Sequence, residues 1–333
     1  MMMERKDFLR NMALGAAVSM IPGSLLKANS KTAGLHKPKE RFEKISFGII
    51  SDLHQDFTFD APKRLEAYVA DMNRKKPDFI LQLGDFCCPV DGNKVIMDIW
   101  NGFKGEKRHV LGNHEFDQNC TVEDCVKFFG MPKDYYSFDM TGYHFVVMNT
   151  NGVIPSDPKR MYPSYIHDEQ FRWLEADLRA TKLPTIVFCH HPLDVFGVEN
   201  GEAVRLLLEN ANKEAGFLKV KVVFSGHLHQ DFCNQINGIH YVQVNSATYR
   251  WLGKPYNNES LPKQHYKRYP LIRYMAYYEE PLWAYVTIET SGKLRIQGRN
   301  SSWRGDSPYD MGMEKLSWEY PSVTKISDLE IQL

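Results

Sequence analysis

Ile45-Ser46-Phe47-Gly48-Ile49-Ile50-Ser51-Asp52-Leu53-His54 is the stretch that decides how this chain is read. Its first six residues form an apolar run with β-branched members, the composition of a buried strand. The run leads directly into an aspartate and a histidine. The same pattern recurs downstream. Phe79–Leu83 leads into Gly84-Asp85, and Arg108–Leu111 into Gly112-Asn113-His114-Glu115. Thr185–Cys189 leads into His190-His191-Pro192, and Val220–Phe224 into Ser225-Gly226-His227-Leu228-His229. Helical spacing appears between these runs at Leu65, Tyr68, Val69 and Met72, closed by Pro77, then at Phe171, Leu174 and Leu178, and again over Ala203–Leu208. Further strands are expected at Tyr143–Met148 and Tyr241–Val244. Strand and helix alternate to about residue 225 and strands predominate afterwards, which predicts an α/β core with mixed sheets.

Five strand ends carrying Asp, His or Asn point to one crevice, because loops beyond the carboxyl ends of strands in α/β sheets converge. Carboxylate, imidazole and amide oxygen together suit manganese, iron or zinc. One carboxylate can bridge two cations, and two metals about 3.5–4 Å apart form a hydrolytic clamp. The glycines before Asp85, Asn113 and His227 allow close backbone approach.

In order, the motifs DxH, GD, GNHE, HxP and GHxH resemble the calcineurin-like metallophosphoesterase superfamily from Asp52 to His229. The resemblance implies a sandwich of two mixed β-sheets flanked by helices, four layers in the order α/β/β/α. It implies two metal ions, with Asp52, His54 and His229 on one, Asn113, His190 and His227 on the other, and Asp85 bridging both. It places His114 against the phosphate as the catalytic histidine. The implied reaction is hydrolysis of a small phosphodiester or phosphomonoester by a hydroxide held between the metals. Purple acid phosphatases carry a tyrosine three residues after the GD aspartate and lack the first-motif histidine. Here Cys88 and His54 stand at those positions. The pattern is therefore more similar to the branch of cyclic-nucleotide and glycerophosphodiester phosphodiesterases. The rival readings are a nuclease of the same superfamily and a non-catalytic scaffold that keeps the fold. A scaffold typically loses ligands, whereas every one is present here.

Several neighbouring residues have two readings. His191 is either a support for the ligands or a structural histidine. Glu115 either orients His114 or is structural or solvated. Cys87 and Cys88, beside Asp85, are read as buried thiols rather than thiolate ligands. His109, His144, His167 and His240 are read as structural or exposed. Residues 250–281 follow neither the strand nor the helix period. They hold Trp251, Tyr256, His265, Tyr266, Tyr269, Tyr274, Tyr277 and Tyr278 among basic residues. They form either a cap, with rings to stack on a substrate and Lys263, Lys267 or Arg268 to attract phosphate, or an excursion that packs its own tyrosines. The substrate-binding residues are left unassigned.

Of the 333 residues, 43% are apolar and 25% charged, enough for a sizeable core and unlike a disordered chain. The 41 basic residues balance 41 acidic ones, so no nucleic-acid partner is expected. Arg5, Lys6 and Arg10 precede an apolar stretch from Met12 to about Leu26. This layout predicts an export signal over residues 1–30, a periplasmic location, and no stable membrane span once the signal is removed. Glu4–Arg10 resembles a twin-arginine signal with Arg5-Lys6 in place of the arginine pair. A linker is expected at 31–44, the main domain at 45–298, and a C-terminal tail packed on it at 299–333. Leu282–Ile288 and Leu294–Gln297 read as a closing hairpin around Ser291-Gly292. The six cysteines form no CxxC motif; export would permit disulfides, with buried free thiols the alternative.

Overall fold

The computed structural model describes residues 43–313 and 320–333; the expected export signal lies outside the described residues. Ile45–Ile50 is a strand, as its unbroken apolar run requires, and it lies near the middle of a six-stranded sheet. It pairs in parallel with Phe79–Gln82, which pairs in parallel with Glu106–His109. On its other side Ala284–Ile288, Lys293–Gln297 and Leu329–Gln332 follow, all antiparallel. A second six-stranded sheet runs in the order Tyr136–Met140, Tyr143–Val147, Thr185–Phe188, Val220–Ser225, Ile239–Gln243, Phe232–Ile236. Its three inner pairings are parallel, and an antiparallel pairing closes each edge.

The two sheets meet face to face through phenylalanines. Phe47 stacks on Phe79 with ring centroids 4.9 Å apart and meets Phe145, Phe188 and Phe224 edge-on at 6.0, 5.8 and 6.1 Å. Strand alternation sends the intervening residues outward. Val146, Val187 and Val223 pack under the helices Asp168–Ala180 and Gly201–Ala215, with Leu174, Leu178, Val204 and Leu208. On the outer side of the first sheet, Tyr68 and Met72 of the helix Ala61–Lys75 lie against Gly48. The helix Lys94–Asn101 adds Ile96 and Trp100 to that core. The expected four layers, α/β/β/α, are thus present.

The strand expected at Arg108–Leu111 begins two residues earlier, at Glu106. An edge strand needs backbone partners rather than apolar side chains, so Glu106 and Lys107 pair with Phe79 and Ile80 without marking themselves in the sequence. The edge strand Phe232–Ile236, also half-buried, was unmarked for the same reason. Tyr249–Trp251, Met275–Tyr278 and Trp303–Arg304 form a small antiparallel sheet that no periodicity announced. Among the described residues, no helix is long and apolar enough to cross a membrane. All six cysteines are free thiols.

Phe188 is fully buried between the sheets and stands two residues before His190. Phe188→Ala should cost about 3–5 kcal/mol of unfolding free energy, measured by urea denaturation.

Candidate metal centre

The ligand loops are stitched to one another by their backbones. The Asp52 and His54 amides donate to the carbonyls of Gly84 (3.1 Å) and Asp85 (2.9 Å), and Gly226 donates to His190 (2.9 Å). The His227 amide donates to the Asp52 carboxylate at 3.1 Å. Such close approach excludes side chains. A Cβ on Gly112 would stand 2.3 Å from the backbone nitrogen of Asp85, and one on Gly226 would stand 2.1 Å from Ser51 Oγ. This is the physical content of the glycines that precede Asn113 and His227.

Buried Glu115 ties the second and third motifs together. Its carboxylate accepts the amides of Asp85 (3.0 Å), Phe86 (2.7 Å) and Gly112 (2.9 Å). It therefore holds loops, and no side-chain hydrogen bond joins it to His114.

Hydrogen bonds to backbone carbonyls set which ring nitrogens face the centre. His229 Nδ1 lies 2.8 Å from the Tyr249 carbonyl, which only accepts, so Nδ1 carries the hydrogen. Its Nε2 then lies 3.0 Å from His54 Nε2 and 3.2 Å from Asp52 Oδ1. His190 repeats the arrangement: Nδ1 donates to the Leu83 carbonyl at 2.7 Å, and Nε2 faces Asp85 Oδ2 at 3.1 Å. Asp85 Oδ2 is also 3.6 Å from His54 Nε2, so one oxygen stands between the two groups. Its other oxygen accepts the His114 amide at 2.8 Å. Asp52, His54 and His229 can thus converge on one ion, and Asp85, His190 and His227 on a second. Asn113 adds a buried amide oxygen with no hydrogen-bond partner, an acceptor that a cation satisfies.

Charge follows the same logic. Burial lowers the His54 ring to about 4 and the His227 ring to about 3, leaving both neutral with lone pairs to offer. Burial opposes ionisation of Asp52, yet His229, His54 and His190 hold its carboxyl well below the usual range. Burial also works against a charge on His190, but Asp85 raises that ring to about 9. A positive charge belongs at this point, as a proton or as a metal ion. The donor set, its depth and its unpaired lone pairs fit a pair of borderline divalent cations.

Residues 45–231 match the family described as calcineurin-like phosphoesterase. The chain belongs to this family. A 3',5'-cyclic-nucleotide phosphodiesterase of Nostoc sp. is 24% identical over 226 residues, 62% of this chain and 80% of the relative. A protein of Synechococcus sp. whose name marks it as a probable cyclic nucleotide phosphodiesterase is 26% identical over 175 residues, 51% of this chain and 64% of the relative. The fold matches the crystal structure of a dimetal phosphatase from Danio rerio with a TM-score of 0.56 at 14% identity, covering 79% of this chain and 99% of that one. This phosphoesterase is a metal-dependent hydrolase of phosphoric esters, and its clustered Asp and His side chains fit a dinuclear site.

Two residues of the phosphoesterase site left no mark in the sequence. Asp117 Oδ2 is 2.7 Å from His114 Nδ1, and Tyr162 donates its hydroxyl to Asp117 Oδ1 at 3.0 Å. Asp117 sits in an irregular 3₁₀ turn and Tyr162 in a long loop, where no period orders side chains. His191 lies beside the proposed ligands: its Nδ1 meets Thr150 Oγ1 at 2.8 Å and its ring lies 4.2 Å from that of His227. Neither Cys87 nor Cys88 joins a ligand cluster among the described residues, and burial pushes both thiols up. Arg250, Trp251, Leu271 and Met275 of the 250–281 segment line the cavity over the centre, but Lys263, Lys267 and Arg268 do not. Tyr277 and Tyr278 are fully buried. The segment thus supplies a largely apolar wall with one arginine and packs tyrosines inside, while the three basic residues of the cap reading lie away from the cavity lining.

Glu115→Ala would leave three buried amides without an acceptor. It should lower the denaturation midpoint by an equivalent of about 3–5 kcal/mol and leave fewer than one metal per chain by elemental analysis.

Proposed function

We propose that this phosphoesterase hydrolyses small phosphodiesters, with Asp52, His54 and His229 holding one cation, Asn113, His190 and His227 the other, and Asp85 shared between them. The observation that carries the ligand assignment is the single oxygen, Asp85 Oδ2, facing both His54 and His190. When bound, such a pair of cations neutralises phosphoryl charge and makes water a better nucleophile. The remaining work falls to the chain. Asp117 takes up Nδ1 of His114, which leaves Nε2 as the atom that can donate a proton to a phosphoryl or leaving oxygen. Phe57 packs edge-on against the His114 ring at 4.8 Å, and Tyr162 lies against it at 4.8 Å, so the imidazole has little freedom to turn. A diester substrate is supported by the names of the two cyanobacterial relatives and by the modest cationic character of the cavity. A monoester dianion would call for additional basic side chains.

We also propose that the protein acts outside the cytoplasm, on the strength of Arg5, Lys6, Arg10 and the apolar stretch that follows. Expressed in full, it should appear in the periplasmic fraction with its N-terminal segment removed, as intact-mass measurement would show. Full-length protein retained in the cytoplasm would contradict this.

His114→Ala should keep both metals and lower kcat about 10²- to 10⁴-fold. Asp117→Asn should lower kcat less, and more for esters with poor leaving groups than for nitrophenyl esters. Unchanged turnover in His114→Ala would remove His114 from the chemistry.

A further inference from the structure

The metal-site residues form the floor of a cavity of about 630 Å³, within the usual range for small-molecule sites. Its rim is unlike the rest of the surface. Eight large hydrophobic side chains are exposed among the described residues, and four of them line this one cavity: Tyr162, Phe196, Trp251 and Leu271. Phe196 is 85% exposed, the most of any in this group. The four come from three distant parts of the chain, so their convergence is a property of the fold and not of one apolar run. Exposed apolar groups gathered at the mouth of a functional cavity mark a recognition surface.

Charge is scarce in the same place. Among the described residues no lysine lines the cavity. Arg160 pairs with Glu199 at 3.5 Å, and buried Arg250 is committed to the Leu228 carbonyl and Ser322 Oγ. Among the described residues, a second phosphate on the substrate would have only Arg160 and Arg250 to meet and would lie near Asp117. Trp251 is positioned to act. Tyr249 accepts the His229 hydrogen bond at its carbonyl, and its ring lies 4.7 Å from that of His229. Trp251, two residues along the same strand, shares that face roughly 7 Å farther from the ligands. This spacing allows a phosphoryl group on the centre while an attached ring lies on the indole.

We propose that the phosphoesterase selects single-phosphate diesters bearing a flat aromatic ring, such as a nucleobase, held at the rim by Trp251 and Phe196. The inference rests on the phosphodiesterase reading above and specifies its substrate class. The test uses the full chain loaded with manganese and two probes with the same reacting group. These are 3',5'-cyclic AMP and the corresponding cyclic ribose phosphate without its base, both followed by phosphorus NMR. The base-bearing ester should have a kcat/KM about 10- to 100-fold higher, the range expected for stacking on an aromatic side chain. Trp251→Ala and Phe196→Ala should each reduce that ratio about tenfold, with metal content as in the parent chain. Equal kcat/KM for the two probes would overturn the proposal, as would a ratio that neither substitution alters. Cleavage of neither probe would instead overturn the phosphodiesterase reading itself, and this proposal with it.

Discussion

Asp52, His54, Asp85, His227 and His229 hold their backbones at φ between 50° and 73°, the left-handed region. They are five of the eleven described non-glycine residues with positive φ, and Tyr162 is a sixth. Each such residue costs on the order of 1–2 kcal/mol. The centre therefore exists only because the surrounding structure holds it. Two sheets fix the strand ends, amide-to-carbonyl bonds tie each ligand loop to another, and Glu115 fastens two loops with one carboxylate. The strained turns bring five side chains inward over a short span of chain. Relaxed strand ends would point alternate residues to opposite faces. The strain and the convergence of ligands are one feature.

The same constraint explains what could be read in advance. Buried parallel strands need long apolar runs, so Ile45–Ile50, Phe79–Gln82 and Val220–Ser225 showed themselves. The proposed ligands follow those runs directly, so the cluster of Asp and His side chains that the fold brings together was legible with it. Edge strands and the small sheet around Tyr249 and Tyr277 are held by backbone pairing and local packing, which leave weak periodicity. Asp117 and Tyr162 reach His114 from an irregular turn and a loop. Their meeting depends on three-dimensional placement alone, as does the gathering of Trp251, Phe196 and Tyr162 at the cavity rim.

The proposed chemistry and selectivity fall to different parts of the chain. The two sheets and their connecting loops supply the proposed ligands and His114. The rim comes from loops around Tyr162 and Phe196 and from the segment after Tyr249. Loops that line a cavity without carrying its ligands can change sequence without disturbing the centre. A shared hydrolytic floor with a variable apolar wall is a physical route by which related chains act on different esters.

Titration of chelator-treated protein with manganese, followed by electron paramagnetic resonance, tests the central claim most directly. Binding should saturate at two ions per chain with the exchange-coupled signal of neighbouring ions, and Asp85→Ala should abolish the coupling. Saturation at one ion, or two ions without coupling, would contradict a centre built around a shared Asp85.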